Sequence, residues 1–190
     1  MSFTVTLLRH AESKCNGTHQ LPRRGLGADL TDRGHTQAAA ASHRHEVPSV
    51  IFSSPACRAL ETASAFTNAP VVLSELQELN IGSLAGRFSA EAWDKHTQVI
   101  QAWERGILEA RFPKGESGIE VLMRASKALR TVERMTRGRT ALAITHAGLM
   151  KFTIHALTGI SVKHVENCGW VTLLSDSGQW VVVSTGDVEM

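Results

Sequence analysis

The chain has 190 residues, of which 43% are hydrophobic and 20% are charged, so one globular domain over residues 1–190 is expected and a disordered, collagen-like or coiled-coil chain is excluded. Its 20 basic and 18 acidic side chains give a formal net charge of +2, which is too balanced to indicate a nucleic-acid partner. The three cysteines lack CxxC spacing, which excludes a disulfide framework and a zinc finger and favours a cytoplasmic protein. No apolar run approaches the roughly 18 residues of a membrane span, so we expect no membrane partner.

Three short apolar runs in the first half of the chain predict buried strands. They comprise residues 3–8, 49–53 and 71–73, which are rich in β-branched or aromatic side chains. Residues 31–43, which include a run of alanines, predict a helix between the first two strands. The Ser54-Pro55 pair predicts the start of a second helix, with the serine as its cap and the proline at its first position.

A less regular stretch follows the third strand. Residues 86–115 carry Trp93, Ile100 and Trp103 at roughly helical spacing and predict a small helical insertion or lid. We interpret both tryptophans as core or lid packing rather than as a stack for substrate. Behind this stretch, a capping-box match that begins at Ser117 precedes an amphipathic helix.

The chain closes with a fourth strand, a helix and a hairpin. The strand is predicted over 140–145, the helix over 148–157 with Gly159 as its stop, and the hairpin from runs at 171–174 and 180–183. Strands that alternate with helices predict an α/β fold, a three-layer αβα sandwich with a mostly parallel central sheet and the small helical insertion. Helical crossovers make the first, second and fourth strands parallel, and the hairpin adds antiparallel pairing at one edge.

Basic side chains follow three of the predicted strands at the point where each strand ends. The first strand ends in Arg9-His10, the second leads within one helical turn to Arg58, and the fourth ends before His146. Ligands of α/β sheets bind beyond the carboxyl ends of the strands. Two arginine forks and an imidazolium there would bind a dianion, and the start of the helix after His146 would add backbone N–H donors.

The segment around His10 resembles the RHG signature of the histidine phosphatase superfamily, whose fold is like that of phosphoglycerate mutase. The segment reads Leu-Arg-His-Ala-Glu-Ser over residues 8–13 and is followed by Asn16. Further segments resemble motifs of the same family in the same order, at residues 30–38, 53–63, 76–82, 115–117 and 146–148. The resemblance therefore extends from the first strand to about residue 150.

This resemblance implies how the matching residues bind and transfer a phosphoryl group. His10 is expected to be the nucleophile that forms a phosphohistidine, so its ring must present a neutral nitrogen while a backbone acceptor holds the other N–H. Arg9, Asn16, Arg58 and His146, together with Ala147, are expected to bind the phosphate oxygens. A cationic pocket of this kind can stabilise phosphoryl transfer without a metal ion or cofactor.

The resemblance also implies a general acid. Glu78 is expected to protonate the leaving alkoxide and then to activate water as a base. Glu75 lies nearby, but the spacing from Glu78 to Gly82 matches the family segment and favours Glu78. His43 and His45 are the nearest approach to metal-ligand spacing, and because no third ligand supports them we expect no metal site.

Several positions depart from the family pattern or leave a role open. Ala11 stands in place of the usual glycine after the nucleophile, Ala85 stands in place of a frequent glutamate, and Lys114 replaces the first glycine of a GGES segment. Either Lys114 or the Arg23-Arg24 pair is a candidate for contacting an anionic substrate tail. Cys15 lies within the signature loop, and its role stays open.

The function favoured by these residues is that of a metal-independent phosphomonoesterase acting on a small phosphorylated metabolite. A cofactor-dependent phosphoglycerate mutase is the first alternative, although the stretch between Glu78 and Lys114 is shorter than in mutases of the resembling family. A phosphoprotein phosphatase and a non-catalytic phosphate-binding protein are the others. Neither the substrate nor the oligomeric state can be predicted, because specificity would reside in residues 17–27 and in the insertion, where no motif is informative.

Overall fold

Six strands form a mixed sheet in the order β3-β2-β4-β1-β5-β6 in the computed structural model, which describes residues 2–16, 20–24, 28–44, 48 and 50–190. Ser49, at the predicted start of the second strand, lies outside the described residues. In chain order the elements are β1 Phe3–Arg9, α1 Asp32–Arg44, β2 Ile51–Ser53, α2 Cys57–Ser64, β3 Val71–Val72, two 3₁₀ turns at Ser74–Leu76 and Gly82–Leu84, α3 Ala90–Glu104, α4 Gly118–Thr136, β4 Ala141–Thr145, α5 Ala147–Thr158, β5 His164–Asp176 and β6 Gln179–Glu189.

The parallel centre of the sheet consists of β2, β4 and β1. Strand β4 lies between the other two, pairing Ile144 with Ser53 on one side and Thr145 with Arg9 on the other. All five of its residues are buried, which is typical of a strand that helices cover on both faces. The predicted parallel arrangement of the first, second and fourth strands is confirmed.

The two faces of the sheet pack against different helices. On one face, Leu7 of β1 belongs to an apolar cluster with Val132 of α4 and Ile154 of α5. On the other face, Leu8 belongs to a cluster with Ala59 of α2. Each large side chain buried in this way contributes about 1.5–3 kcal/mol. The predicted three-layer αβα sandwich is therefore confirmed.

The predicted insertion contains a helix of 15 residues, α3, which lies against the amino-terminal parts of α4 and α5. Ser89 caps this helix, because its hydroxyl accepts a hydrogen bond from the backbone N–H of Ala92 at 3.2 Å. Trp103, near the other end of the helix, is buried in a cluster that includes Val121 of α4 and Phe152 of α5. Neither α3 nor any other helix in the described ranges is long and apolar enough to cross a membrane.

Two predicted helix boundaries are confirmed, and one is wrong. A reciprocal capping box forms at Ser117, and Gly159 ends α5 in the left-handed conformation with φ 73°. Helix α2 begins at Cys57 instead of Pro55, and no side chain caps it there. The Ser54 hydroxyl accepts from the Ala56 N–H at 3.3 Å, as a cap would, but Pro55 and Ala56 precede the first helical residue, and the same hydroxyl lies 2.9 Å from a ring nitrogen of His146.

The terminal hairpin is confirmed, but it is longer than predicted. Strand β5 has 13 residues and β6 has 11. Most of β6 is exposed or half-buried, so its apolar pattern is too weak to show its full length. A register shift between Val165 and Trp170, with Cys168 at φ 59°, lets β5 continue through an irregularity that breaks the alternation of the sequence.

Candidate active site

The carboxyl ends of β1, β4 and β2 meet at one edge of the sheet. The backbone N–H of His10 donates to the Thr145 carbonyl at 2.9 Å, and that of Ser54 donates to the Ile144 carbonyl at 3.0 Å. These bonds extend the parallel ladders by one residue beyond each strand. The structure therefore brings the predicted strand ends together, with His146 following β4 at the same edge.

His10 is buried, and its two ring nitrogens have different partners. Its Nδ1 lies 2.7 Å from the carbonyl oxygen of Ala11, which can only accept, so Nδ1 carries the hydrogen and donates. Its Nε2 accepts from Nε of Arg58 at 3.0 Å. Burial and, to a lesser degree, the Arg58 charge lower the pKa of His10 well below its ordinary value. The ring is therefore neutral, with the lone pair on Nε2.

Arg58, in the first turn of α2, connects the two histidines of the site. Besides its bond to His10, its Nη2 donates to Nδ1 of His146 at 3.1 Å. The helix is itself bound to the loop after β1, because the Thr62 hydroxyl donates to the Arg58 carbonyl at 2.6 Å and accepts from the Ala11 N–H at 3.0 Å. Arg58 is only 5% exposed, so its guanidinium is a buried cation beside His10.

His146 is fully buried behind Arg58. Since arginine only donates, Nδ1 of His146 is an acceptor in this arrangement, and its Nε2–H donates to the Ser54 hydroxyl at 2.9 Å. The His146 and His10 rings meet edge to face with centroids 5.1 Å apart. Burial, followed by the nearby His10 and Arg58, lowers the pKa of His146 well below its ordinary value. The site therefore contains two neutral imidazoles joined by one cation.

Arg9 and Asn16 both line the cavity and carry N–H groups that can bind an anion. Nη1 of Arg9 donates to the Val165 carbonyl at 2.6 Å, while its buried Nε has no partner among the residues that the structure describes. The Asn16 amide oxygen accepts from the backbone N–H of Ser13 at 2.8 Å and from its hydroxyl at 2.9 Å. The amide NH₂ of Asn16 is thus left to donate. An anion bound between these residues would satisfy both groups.

Glu78 lies opposite these cations and is 6% exposed. Its Oε1 accepts from the backbone N–H groups of Leu79 at 2.9 Å and Leu149 at 3.0 Å, and its Oε2 accepts from Gly148 at 3.2 Å. A Cβ at Gly148 would lie 2.6 Å from Oε1, so only glycine permits this approach. Two of the backbone N–H groups at the start of α5, those of Gly148 and Leu149, therefore bind Glu78, and the Ala147 N–H is not one of the groups that bind it.

Arg124 of α4, which no sequence motif predicted as a site residue, holds the Glu78 segment in place. Its guanidinium donates to the carbonyls of Glu75 and Gln77 at 2.8 Å and of Glu78 at 3.2 Å. It also forms an ion pair with Glu116 at 2.8 Å. Arg124 is one of four basic residues on this amphipathic helix, so the sequence neither distinguishes it from the others nor reveals that carbonyls are its partners.

Glu75, the alternative acid, points elsewhere. Its carboxylate pairs with Lys127 at 2.7 Å and accepts from the Ser74 hydroxyl at 3.1 Å. The lysine contact and local hydrogen bonds lower the pKa of Glu75 below its ordinary value. The structure thus separates the two carboxylates, with only Glu78 facing His10 across the cavity.

A cavity of about 510 Å³ joins these groups, a size that suits a small-molecule ligand. The predicted site residues that line it are Arg9, His10, Asn16, Arg58, Glu78 and Ala147. Cys15 and Arg23 lie at its edge, whereas Lys114 and Arg24 are absent from the lining. Of the predicted specificity loop, residues 17–19 and 25–27 lie outside the described residues. Within the described ranges, no group of three His, Cys, Asp or Glu side chains is arranged to hold a metal ion.

The departures from the family pattern have local explanations. Ala11 is fully buried and is not among the residues with positive φ, so its methyl group fits without strain. Lys114 has φ 57° and an exposed side chain, so it occupies a left-handed position that favours glycine. Gly115 cannot change in the same way, because a Cβ there would meet the Asn80 carbonyl oxygen at 2.3 Å. Ala85 packs against the cluster beneath α3.

Comparison with known proteins agrees with this geometry. A model of the Histidine phosphatase superfamily (branch 1) matches residues 5–188. The Metal-independent phosphoserine phosphatase of Arabidopsis thaliana is 26% identical over 195 residues, covering 97% of this chain and 81% of that protein. A protein of Shigella boydii named Probable phosphoglycerate mutase GpmB is 28% identical over 204 residues, covering 97% of this chain and 93% of its own.

Solved structures share the fold. YhfR of Bacillus stearothermophilus superposes with a TM-score of 0.81 at 23% identity, covering 98% of each chain. The mycobacterial glucosyl-3-phosphoglycerate phosphatase superposes with a TM-score of 0.79 at 22% identity, covering 100% of this chain and 99% of its own. The ordered motifs, the fold and the family match agree, and the chain belongs to branch 1 of the histidine phosphatase superfamily.

Proposed function

We propose that this chain is a metal-independent phosphomonoesterase that hydrolyses a small phosphorylated metabolite through a phosphohistidine at His10. The observation that carries the proposal is the state of His10: its Nδ1–H is held by the Ala11 carbonyl, and its Nε2 lone pair lies beside Arg58 in the cavity. A neutral nitrogen next to a buried cation is what an in-line attack on phosphorus requires. The relative named as a metal-independent phosphatase supports the same reading.

In the first step, Nε2 of His10 attacks phosphorus and the bond from phosphorus to the leaving oxygen breaks. Phosphate oxygens replace Nε2 as the acceptors of Arg58, and Arg9, the Asn16 amide and the Ala147 N–H bind the remaining charge. Glu78 gives its proton to the leaving oxygen. Among the described residues, its Oε2 accepts a single bond at 3.2 Å, so this oxygen has room to carry that proton.

In the second step, Glu78 removes a proton from water, the hydroxide forms a bond to phosphorus, and the bond between phosphorus and Nε2 breaks. Inorganic phosphate leaves, and His10 returns to its neutral form.

The Ser54 hydroxyl can either accept from or donate to Nε2 of His146. When the hydroxyl donates, His146 carries its hydrogen on Nδ1 and can present this N–H to the phosphate once Arg58 has turned toward the phosphate. We assign His146 to phosphate binding on this basis.

We also propose that residues 1–190 act as one histidine phosphatase domain. Helix α3 buries Ala92 and Trp103 in a cluster shared with α4 and α5, so the insertion has no separate core.

The size of the cavity supports a small substrate. Its volume of about 510 Å³ suits a small molecule better than a folded phosphoprotein.

The direct test is hydrolysis of p-nitrophenyl phosphate in EDTA by the wild type and by His10→Ala. We expect turnover by the wild type and a loss of about 10⁴-fold or more in the variant, because no other group can accept the phosphoryl group. Circular dichroism and thermal unfolding would confirm that the variant is folded. Activity within about tenfold of the wild type, which is 1.4 kcal/mol of barrier, would contradict the assignment of His10.

A phosphoglycerate mutase is the second candidate, favoured by the relative of that name. It differs from a hydrolase in retaining its phosphoryl group and in depending on a bisphosphate primer. Incubation with 3-phosphoglycerate, with and without the bisphosphate, separates the two. Isomerisation without release of inorganic phosphate would replace the hydrolase proposal, and phosphate binding without any turnover would replace both.

A further inference from the structure

The cavity has a second wall that the chemistry of phosphoryl transfer does not use. We define the aromatic wall as Trp93, His96, Trp103 and Phe152, which line the cavity, with Phe112 buried behind them. Ring centroids are 5.9 Å apart for Trp93 and His96, 5.3 Å for His96 and Phe112, and 5.1 Å for Trp103 with both Phe112 and Phe152. The rings of α3 and α5 thus form one continuous array, in which the buried Phe112 ring joins His96 to Trp103.

The polar atoms of the aromatic wall carry little charge into the cavity. The Trp103 indole N–H donates to the Ala110 carbonyl at 2.7 Å and is therefore already satisfied. His96 stacks on Phe112 with an interplanar angle of 24°, and burial lowers its pKa to about 4, so the ring is neutral at physiological pH. Ile81 and Ile100 add apolar surface to the same lining.

The charges at the rim are of both signs. The Lys151 ammonium donates one N–H to the Lys163 carbonyl at 2.9 Å, and the His155 ring contacts the Glu104 carbonyl at 3.2 Å. The carboxylate-bearing residue Glu104 also lines the cavity and would repel an anionic tail. Lys151 and the exposed Arg23, which lies against Gly86, are the lining cations outside the phosphate site that would favour one. The rim therefore makes opposing contributions to binding of an anionic tail, whereas the aromatic wall favours apolar groups.

From this arrangement we infer that the leaving group of the substrate is an aryl or bulky apolar alcohol, which packs on the aromatic wall while the phosphate lies at His10. The inference rests on the proposed function and narrows it. Flat apolar groups gain both from burial and from ring–ring contact on such a surface. Small polar acids such as phosphoserine or 3-phosphoglycerate would leave the wall empty and so gain nothing from these rings.

A series of phosphomonoesters tests this inference. Phenyl and 2-naphthyl phosphate have leaving groups of similar acidity and differ in apolar area, and benzyl phosphate and phosphoserine form an alkyl pair. We expect kcat/KM to be about tenfold or more higher for the naphthyl and benzyl members of each pair. Hydrolysis that is fastest for phosphoserine or 3-phosphoglycerate, or equal within each pair, would overturn the inference and leave the proposed function intact.

Substitutions of single residues show which side chains cause the preference for an apolar leaving group. Trp93→Ala removes a ring that is 40% exposed, so the core stays packed, and we expect the ratio of naphthyl to phenyl kcat/KM to fall toward one. Phe88→Ala is the matched control, because this ring is 75% exposed and lies outside the cavity lining, and the ratio should not change. A ratio that survives Trp93→Ala, or an Arg23→Ala variant that loses activity only toward carboxylate-bearing esters, would contradict the aromatic wall as the specificity surface.

Binding of non-hydrolysable phosphonates separates failure of the inference from failure of the proposed function. We expect 2-naphthylphosphonate to bind the wild type about tenfold more tightly than methylphosphonate in calorimetry, and Trp93→Ala to remove the difference. If no monoester is hydrolysed, the proposed function fails, yet this difference still supports the wall as an aryl site. Equal affinities of the two phosphonates would overturn the wall's role whatever the turnover.

Discussion

The floor of the cavity and the aromatic wall are built by different means. The floor consists of polar side chains at strand ends, where His10, Arg58 and His146 share hydrogen bonds of 3.0–3.1 Å. The wall consists of rings on α3 and α5 that meet through apolar and edge-to-face contacts. Hydrogen bonds fix atoms in direction as well as distance, whereas apolar packing tolerates exchange of one ring for another.

This difference predicts that substitutions in the floor and in the wall affect catalysis in different ways. A change at the floor should reduce turnover of every substrate, because the same phosphoryl group is transferred each time. A change at the wall should alter the ratio between substrates, because only the leaving group contacts it. Single substitutions at the floor and at the wall should therefore have separable effects on catalysis.

Arg58→Ala should have the largest effect among the residues that surround the nucleophile. We expect kcat to fall about 10²–10³-fold for aryl and alkyl esters alike, because the cation that joins His10 and His146 is lost. Arg58→Lys retains a charge but not the two-sided contact, so it should recover only part of the loss. A loss of kcat confined to one class of leaving group would contradict the separation of the floor from the wall.

Glu78→Gln should reduce hydrolysis of alkyl phosphates about 10²-fold and that of p-nitrophenyl phosphate much less, because nitrophenolate leaves without protonation. The control is Glu75→Gln, whose carboxylate pairs with Lys127 and lies outside the cavity lining. Equal losses on both ester classes, or a greater loss in the control, would show that Glu78 is not the acid.

Arg124→Lys should move the acid without removing it. Lysine cannot replace the bonds to three carbonyls and Glu116, so we expect about a tenfold loss of kcat on alkyl phosphates and a smaller loss on p-nitrophenyl phosphate. Arg124→Ala should also destabilise the fold by about 3 kcal/mol, because Glu116 loses its buried partner. Lys127→Ala, three residues further along α4, is the control, and a matching loss there would refute the positioning role.

The pH dependence of the free energy of unfolding should show that the rings of His10 and His146 are neutral in the folded state. Burial lowers the pKa of His10 and His146, whereas each ring in the unfolded chain titrates near 6.5. Below pH 6.5 the unfolded state therefore binds more protons, and the free energy of unfolding should fall by about 1.4 kcal/mol per pH unit for each ring. Urea unfolding at pH 7.5, 6.5 and 5.5 measures this slope. His10→Gln should reduce it by one ring's share, and a slope that this substitution leaves unchanged would show that His10 has the same pKa in the fold as in the unfolded chain.

The floor could be foreseen from the sequence because its residues follow strands. A buried strand is visible as an apolar run, and the register of parallel neighbours then brings Arg9-His10, Arg58 and His146 to one edge. The tautomer of His10 was expected as well, since a nucleophilic ring needs a backbone acceptor for its other nitrogen. The role of Ser54 was not, because a serine before a proline resembles a helix cap, while its partner His146 is distant in the chain.

Only part of the aromatic wall could be predicted from the sequence. Trp93, His96, Ile100 and Trp103 recur at intervals of three and four residues, which places them on one face of α3. The spacing indicates a buried face, but it does not show that the face borders a cavity. That fact depends on how α3 packs against Phe152 of α5, a tertiary contact that no local pattern encodes. The carbonyl contacts of Arg124 were missed for the same reason.

Trapping the covalent intermediate tests the central claim most directly. The wild type would be mixed in EDTA with ³²P-labelled monoester, quenched in alkali within milliseconds, digested and mapped by mass spectrometry. We predict a phosphoryl group that is stable to base and labile to acid, attached to the peptide that contains His10 and absent from His10→Ala. Hydrolysis that proceeds with no label on the protein, or with the label on any other residue, would contradict the account.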